Sequence, residues 1–553
     1  MKKDKFDWII LKQILDYLSI NKKKMGIAVG CLFVTTVASF LQPLIVKRIT
    51  DDGLINRELN IIASCVFVLI SVVIVNKVSD LIMAELFADI HNEAEYHVFD
   101  KAFEKLMKLK YEYFIDKNES EIINNLFTDI NAVTALTDRN NIMFISYAFQ
   151  VLSGIVGLLM ISPILTVAVL LLIPLKYISV SKLSKTRKLK MKEYLKEMSS
   201  FSAWISEIVS GIKEIKLWNL YLTEKKEFDF IQKKLLDKKK AFTMIDAWNT
   251  FFGTLFEWLI VGGLYILGGF LLIHNRLSLG GMFAFISYSS FVTGPIAAIL
   301  NIKMLLAQMI PSAKRFLEFM ELEEEEEGKD SEIEPGELVF ENVVFSYEKE
   351  RDILKDVSIS IPLGAKVAII GPNGSGKTTL LNLLLRFLRP DKGRITISGK
   401  DVQEIRLEEY RKLFSVVSQK PYVFNKSIKD NIDLEKKAEE SKLNYVYQRS
   451  GVNQLLQKLS KREYMVIGNN GAKLSGGEKQ KLAVARALLR DTPYIILDEA
   501  TSGFDVSSDR YLHEMIINEL KEKTIILVTH RYTNLEGMDR IYQIEKGKAL
   551  RIK

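Results

Sequence analysis

Cysteine is nearly absent: Cys31 and Cys65 are the only two in 553 residues, and both sit inside apolar runs. Two isolated thiols exclude a disulfide framework and a cysteine-rich zinc site, and they read as packing residues. Histidine is also scarce, at five residues. The chain carries a net charge of +8, but it lacks a basic patch with interleaved aromatics. That excludes nucleic acid as a partner and leaves cytoplasmic loops of a membrane protein as the reading of the lysines. Seven lysines fall in the first 24 residues, with no short apolar core and small-residue cleavage site behind them. A removable signal peptide is therefore not expected.

Charge itself is missing over long stretches of the first half. Met25–Val46 and Leu59–Asn76 contain none, and Asn140–Leu175 is too long for one crossing. A spanning helix needs about 20 apolar residues for roughly 30 Å of hydrocarbon. Ser162-Pro163 divides that third run into two. Ala247–Asn275 is interrupted only by Glu257, and Leu277–Ile302 is unbroken. We therefore expect six spans, at about 25–46, 59–78, 141–161, 164–181, 249–273 and 279–302. Glu257 is a candidate substrate-cavity residue, because an acid inside a span is costly unless it faces a cavity or a partner. The bland alternative is an acid near the cytoplasmic interface, within reach of water or a lysine.

Lysine and arginine set the expected orientation. The stretch Lys176–Asp246 holds 17 of them, whereas the turn between spans three and four holds none and the last turn only Arg276. Both termini and the two long loops are expected in the cytoplasm of a multi-pass protein of the cell membrane, with the loops continuing the membrane helices beyond the bilayer. An acidic run, Glu321–Glu327, then opens a linker over 321–336, read as solvated rather than as a binding element. It separates a membrane domain (1–320) from a second domain (337–553).

In that second domain short β-branched runs alternate with helical patterns. The strand-like Lys366–Ile370 leads into GPNGSGKT (Gly371, Pro372, Asn373, Gly374, Ser375, Gly376, Lys377, Thr378) and then into a helix beginning at Thr379. This strand, glycine-rich loop and helix form a phosphate cradle: backbone N–H groups turn inward, Lys377 offers a cation and Thr378 a hydroxyl for Mg²⁺. The apolar run Tyr494–Leu497 ends in Asp498, placed to hold the metal, and Glu499, placed to polarise an attacking water. His530 ends another apolar run on the same sheet edge, and Gln419 follows a third; both are catalytic candidates, Gln419 also as a metal ligand.

With these motifs in place, the chain resembles the ATP-binding cassette transporters of the exporter type over nearly its whole length. LSGGE (Leu474, Ser475, Gly476, Gly477, Glu478) is similar to that family's signature motif, which usually ends in Gln. The resemblance implies six membrane helices followed by an α/β P-loop ATPase, with ATP and Mg²⁺ as cofactors. It implies that the signature closes over ATP held by a second chain. It also implies that Tyr347 stacks on adenine, Asp505 lies in the loop crossing the dimer axis, and His530 contacts the γ-phosphate. Tyr113–Asp129 and Gly211–Trp218 resemble the segments that couple ATPase to membrane. Departures are Ser120 and Asn125, where Gly and Arg are usual, and IGNNG at Ile467–Gly471, where a Glu-Arg pair is common.

Since every ATP-site motif is present in one copy, a homodimer is expected, with a heterodimer as the alternative. The expected function is ATP-driven export of a lipid, drug or small peptide. An importer of the fused type, as for a siderophore, is the alternative; an ATP-gated channel lacks the extra regulatory sequence. A chromosome-maintenance ATPase, which shares LSGG, is excluded by the apolar spans.

Overall fold

The computed structural model describes residues 2–19, 21–115, 117–347, 351–459, 461–500, 506–530 and 535–553. It divides into two compact units, Met1–Met107 with Glu119–Leu322, and Lys108–Asn118 with Glu323–Lys553. Among the described residues eleven α-helices precede the second unit's sheets: α1 (Lys2–Leu18), α2 (Lys22–Arg48), α3 (Leu59–Lys108), α4 (Glu112–Ile115), α5 (Glu119–Thr134), α6 (Arg139–Ile161), α7 (Pro163–Ser210), α8 (Ile212–Leu217), α9 (Tyr221–Ile273), α10 (Leu279–Thr293) and α11 (Pro295–Met320).

Among the described residues five segments are long and apolar enough to cross a membrane: Lys22–Ile55, Leu59–Lys108, Met143–Ile161, Pro163–Ser210 and Tyr221–Ile273. Their apolar side chains are largely uncovered by protein; Phe67, Leu171 and Ile266 all stand exposed. In water this would be untenable, and in hydrocarbon it is the expected lipid face. The helices α3, α7 and α9 run 50, 48 and 53 residues without interruption. At 1.5 Å per residue each is about 70–80 Å long, more than twice the hydrocarbon thickness.

The sixth apolar run is not one helix. It breaks between α10 and α11 at Gly294-Pro295, where proline cannot donate to the helical ladder. Capping explains the other boundaries. The Ser162 hydroxyl accepts from the Leu165 N–H at 3.4 Å and Pro163 opens α7, so the third apolar run turns there. Ser278 caps α10 by accepting from the Gly281 N–H at 3.0 Å. Its own hydroxyl donates to Asp51 at 2.5 Å, and the Gly280 N–H donates to the same carboxylate at 2.8 Å. A Cβ on Gly280 would stand 2.4 Å from the Lys47 carbonyl, so the close approach of α10 to the end of α2 needs glycine. Gly154 and Gly157 form a notch on α6 that receives Val292 and the ring of Tyr288 from α10. Small residues let helices meet closely where no hydrophobic effect drives them together.

The long helices α7 and α9 pair antiparallel through a ladder of ions. Lys176 meets Glu257 at 2.7 Å, Arg187 meets Asp246 at 2.7 Å, Glu193 meets Lys238 at 2.9 Å, and Glu197 meets Lys234 at 3.0 Å. The sign reverses halfway: α7 is basic in the first two rungs and acidic in the last two. A slip along the pair would set like charges opposite, so the ladder specifies register.

Glu257, singled out for its place inside a span, thus has a partner. The Lys176 side chain is 3% exposed and also donates to the Thr293 carbonyl at 3.0 Å, on the last residue of α10. Glu257 lies 16 residues before the end of α9, about 24 Å along the helix, so it sits toward one edge of a ~30 Å hydrocarbon layer. Lys176, inside the fourth expected span at about 164–181, lies within α7.

The second unit holds two sheets. β1 (Leu338–Phe345), β2 (Leu354–Ile361), β4 (Lys392–Ile397) and β5 (Lys400–Asp401) form an antiparallel sheet in the order β2-β1-β4-β5. β3 (Lys366–Ile370), β6 (Phe414–Val417), β7 (Tyr494–Asp498), β8 (Thr524–Thr529), β9 (Arg540–Glu545) and β10 (Lys548–Arg551) form the other, in the order β10-β9-β3-β8-β7-β6. All neighbours from β9 to β6 pair in parallel. β3 is buried at all five positions, the mark of a strand covered on both faces.

Two boundaries differ from the sequence reading. Lys108–Asn118, expected in the membrane domain, belongs to the second unit. The acidic run is not a free solvated linker: Arg411 forks onto Glu325 at 2.9 and 2.7 Å, Arg389 meets Glu326 at 2.7 Å, and the Leu407 N–H donates to Glu327 at 3.3 Å. Charge repulsion within the run is offset by arginines distant in sequence, which no local pattern reveals.

The Lys176–Glu257 pair generates a test. Glu257→Leu leaves a buried ammonium with one carbonyl acceptor, and Lys176→Met leaves an acid without its cation, each costing on the order of 1–3 kcal/mol. The double variant should melt higher than either single one in detergent. Additive losses would show that the two side chains do not act as a pair.

Candidate functional site: a phosphate cradle at a parallel sheet edge

Four adjacent strands each deliver one element of the site at their C-terminal ends. β3 runs into Gly371, β8 into His530, β7 into Asp498 and Glu499, and β6 toward Gln419. Parallel pairing puts all four ends on one edge, where open α/β sheets bind ligands.

The loop after β3 turns through left-handed glycines, with φ of 77° at Gly374 and 105° at Gly376. A Cβ on Gly376 would stand 2.8 Å from Leu354, so angle and space both demand glycine. The helix Lys377–Leu384 follows directly and points its N-terminal N–H groups at the loop's concavity. Lys377 folds back, donating to the Gly371 and Pro372 carbonyls at 2.8 and 2.9 Å. Burial pushes its pKa below the usual lysine range, opposed by the charges of Glu499 and Asp498. Ser375 Oγ is buried and without a protein partner, an orphaned polar atom inside the cradle. These features fit a polyphosphate: donors, a confined cation and an unsatisfied hydroxyl surround one space.

Asp498 is partly buried and its pKa is raised, first by that burial and then by the neighbouring charge of Glu499, with Lys377 working the other way. Such a carboxylate is what a divalent cation compensates. Among the described residues no group of three His, Cys, Asp or Glu side chains could hold a metal alone. A cation here would therefore take Asp498, the Thr378 hydroxyl and phosphate oxygens, the hard oxygen set that Mg²⁺ prefers.

Glu499 is clamped from two sides. The Gln419 side-chain amide donates to one carboxylate oxygen, and His530 Nδ1 lies 2.8 Å from the other. Because the Gln419 NH₂ faces Glu499, its oxygen is the atom able to face a cation. The Glu499 backbone stands at φ 47°, an unusual angle for a non-glycine residue, and its N–H donates to the Val528 carbonyl at 2.9 Å. That angle turns the carboxylate out of the strand direction, and no local residue pattern announces it. The side chain is 11% exposed and lies at the site's floor.

Tyr347 is half exposed, and its hydroxyl lies 3.2 Å from that of Thr379, the third residue of the cradle helix. It offers a flat π face beside the phosphate loop. Ser475 caps the helix Gly476–Arg490 and shares a capping box with Glu478: the Ser475 N–H and hydroxyl both meet Glu478 Oε2 at 2.8 Å. Glutamate at the end of the signature thus closes the capping box on Ser475. This helix connects to the sheet edge through Gln480, whose amide donates to the Gln419 carbonyl at 3.4 Å. Gln419, Asn470, Gly476 and Gln480 help to line a cavity of 380 Å³. Asn470 comes from the IGNNG segment, where it adopts φ 45°, and Ile467 is fully buried. Asp505 lies outside the described residues.

The match to known proteins agrees with this architecture. Residues 25–296 match the ABC transporter transmembrane region, and residues 354–502 match the ABC transporter family, so the two matches together cover most of the chain. The chain belongs to the ATP-binding cassette transporters. It is a half-transporter of the exporter type, one membrane region fused to one ATPase domain, and it hydrolyses ATP to drive transport.

Among curated relatives, the uncharacterized ABC transporter ATP-binding protein YfiC of Bacillus subtilis (strain 168) is 25% identical, covering 98% of this chain and 90% of that protein. An ATP-dependent lipid A-core flippase of Vibrio parahaemolyticus is 26% identical, covering 99% of this chain and 95% of that protein. Among solved structures, a bacterial Atm1-family ABC exporter with ATP bound shares the fold at TM-score 0.81 and 19% identity, covering 96% of this chain and 95% of that one. Flippases and an exporter do not favour the importer alternative.

The loop geometry carries a direct expectation. Gly376→Ala must either abandon φ 105° or push Leu354 aside, so nucleotide affinity should fall by about tenfold or more, roughly 1.4 kcal/mol. Equilibrium binding of a fluorescent ATP analogue reads this out, and unchanged affinity would show that the loop does not form the cradle.

Proposed function

We propose that two copies of this chain form an exporter of an amphipathic, membrane-borne substrate, driven by ATP and Mg²⁺. The observation that carries it is the convergence of Lys377, Asp498, Glu499, Gln419 and His530 on one sheet edge, in a chain whose other unit exposes long apolar helices. The lipid A-core flippases among the relatives support a substrate with a polar head and an apolar body.

In this reading ATP lies with adenine on Tyr347 and its phosphates among the N–H groups of Gly371–Thr379. Lys377 releases the loop carbonyls and turns to the β- and γ-phosphates. Thr378, Asp498 and Gln419 would hold Mg²⁺, which supplies charge neutralisation between the β- and γ-phosphates when bound. Glu499 accepts a proton from the attacking water, with Gln419 and His530 fixing its orientation, and His530 approaches the γ-phosphate. The signature Leu474–Glu478 presents Ser475, Gly476 and Gly477 to ATP held by the partner, and the ATP-bound pair is closed until hydrolysis. A C₂ homodimer completes two such sites, because this chain retains every group that each site requires. A different half-transporter as partner is the alternative. For Glu257, pairing with buried Lys176 supports an anchoring role among α7, α9 and α10 rather than contact with substrate.

Removing the Glu499 charge tests chemistry and assembly together. Glu499→Gln should still bind ATP but hydrolyse it about 10²–10⁴-fold more slowly. With ATP it should accumulate as a closed dimer, visible as twice the chain mass in detergent by light scattering. Near-normal turnover would remove Glu499 as the base, and a monomer at saturating ATP would remove the homodimer.

Orientation is tested separately, in a background with Cys31 and Cys65 replaced by alanine. Asn56 and Arg276, both exposed in short turns between spans, should label from outside intact cells when changed to cysteine, and Ser199 should not. Ser162 is buried as the cap of α7 and is a poor labelling site. Labelling at position 199 alone would place the ATPase on the opposite side.

A further inference from the structure

The ion ladder between α7 and α9 uses only part of the positive charge of α7. Over residues 177–192 that helix carries six cations and no acid, and residues 241–256 of α9, which face them, carry one acid and no cation. Arg187 is taken by that acid, Asp246, and Lys190 by Glu193. Lys182, Lys185, Lys188 and Lys192 all stand exposed, and among the described residues none of them takes an acidic partner.

Depth decides what these lysines meet. α7 opens at Pro163, and about 20 residues at 1.5 Å each cross a ~30 Å hydrocarbon layer, which therefore ends near Lys182. The rungs Lys176–Glu257 and Arg187–Asp246 are equally spaced on both helices, so Lys185 stands level with Trp248. Trp248 is 47% exposed and packs on Phe252 and Phe251, with ring centroids 5.7 and 5.6 Å apart. Exposed tryptophan at this height marks a membrane–water boundary. Lys182, Lys185 and Lys188 fall within about 9 Å of the hydrocarbon edge. Side chains on a helix tilt toward its N-terminus, so their ammonium groups lean back toward the bilayer.

The surface is continuous across that edge. Leu171, Ile178, Lys185 and Lys192 recur every seven residues, two turns of helix, so all four share one face, turned away from the ladder. Leu171 and Ile178 are 72% and 51% exposed, within a helix long and apolar enough to span hydrocarbon. A face that is apolar in the bilayer thus becomes basic at its surface. A phospholipid with an anionic head has the matching division.

We infer that Lys182, Lys185 and Lys188 bind the phosphate headgroup of an anionic phospholipid, whose acyl chain lies along Ile178 and Leu171. Under the orientation proposed above, that lipid belongs to the cytoplasmic leaflet. The inference rests on α7 crossing a membrane, not on what the chain transports. Bound phosphate offsets the repulsion among lysines that no protein acid relieves.

Ile178 reports on this face. In the Cys31→Ala/Cys65→Ala background, Ile178→Cys carries a bimane label, and the full chain is reconstituted into phosphatidylcholine vesicles. The quencher is a phospholipid with a nitroxide near the top of one acyl chain, supplied either as phosphatidylglycerol or as phosphatidylcholine. Phosphatidylglycerol should quench with an affinity about threefold or more above that of phosphatidylcholine, and raised salt should erase the difference. Lys182→Gln/Lys185→Gln/Lys188→Gln should bring that ratio to about one and leave quenching by phosphatidylcholine unchanged. Lys226→Gln/Lys233→Gln/Lys239→Gln removes the same charge roughly 18 Å or more beyond the hydrocarbon, about twice the Debye length, and should keep the preference.

Equal quenching by the two lipids in the otherwise unaltered protein overturns the inference, as does a preference that survives the first triple variant or disappears in the second. Loss of the preference on adding inorganic phosphate at constant ionic strength also overturns it, because that marks a site for a free anion. Absence of quenching by either lipid shows this face covered by a second copy or by water, and refutes the lipid-facing placement of α7 together with the binding surface.

Discussion

Parallel pairing of β3, β8, β7 and β6 is the constraint on which the catalytic half depends. Only when these strands run in one direction do the glycine loop, His530, Glu499 and Gln419 arrive at one edge. Each strand is separated in sequence from its neighbour, so the pairing requires long crossovers and a buried, β-branched core. The left-handed backbone of Glu499 carries a local cost of about 1–3 kcal/mol. Its bond to Val528 and the grip of Gln419 and His530 offset that cost and leave one orientation for the carboxylate.

The membrane half obeys a different rule. In hydrocarbon, backbone groups have no water to bond, so irregular chain is kept to ends and to places lined by protein. The break in the last apolar run, at Gly294-Pro295, lies beside the carbonyl of Thr293, which Lys176 satisfies. That ammonium in turn needs Glu257. A proline, a lysine and an acid on three helices thus form one arrangement, and each would be costly alone. Farther along α7 and α9 the ion ladder holds the same two helices in register.

Much of the site was legible because its signals are local. The glycine loop, Lys377, the Asp498-Glu499 pair and the strand-end His530 each announce themselves within eight residues, since strand, turn and helix start are short-range features. The long charge-free runs are legible for the same reason. The acidic run misled because seven consecutive residues containing six acids look solvated until their arginine partners are known. Arg389 and Arg411 lie more than 60 residues from the glutamates they hold.

The sequence by itself determined the class of protein, the apolar runs of the membrane half and the residue spacing of the candidate phosphate site. These depend on composition over a bilayer's thickness and on residue spacing within single turns, which no distant contact alters. Tertiary structure alone decided that Glu257 is paired, that Ser375 Oγ is left unsatisfied inside the cradle, and that the acidic run is held by Arg389 and Arg411. Each of these depends on which groups meet across tens or hundreds of residues. A charged or polar side chain takes its role from the partner that burial brings to it.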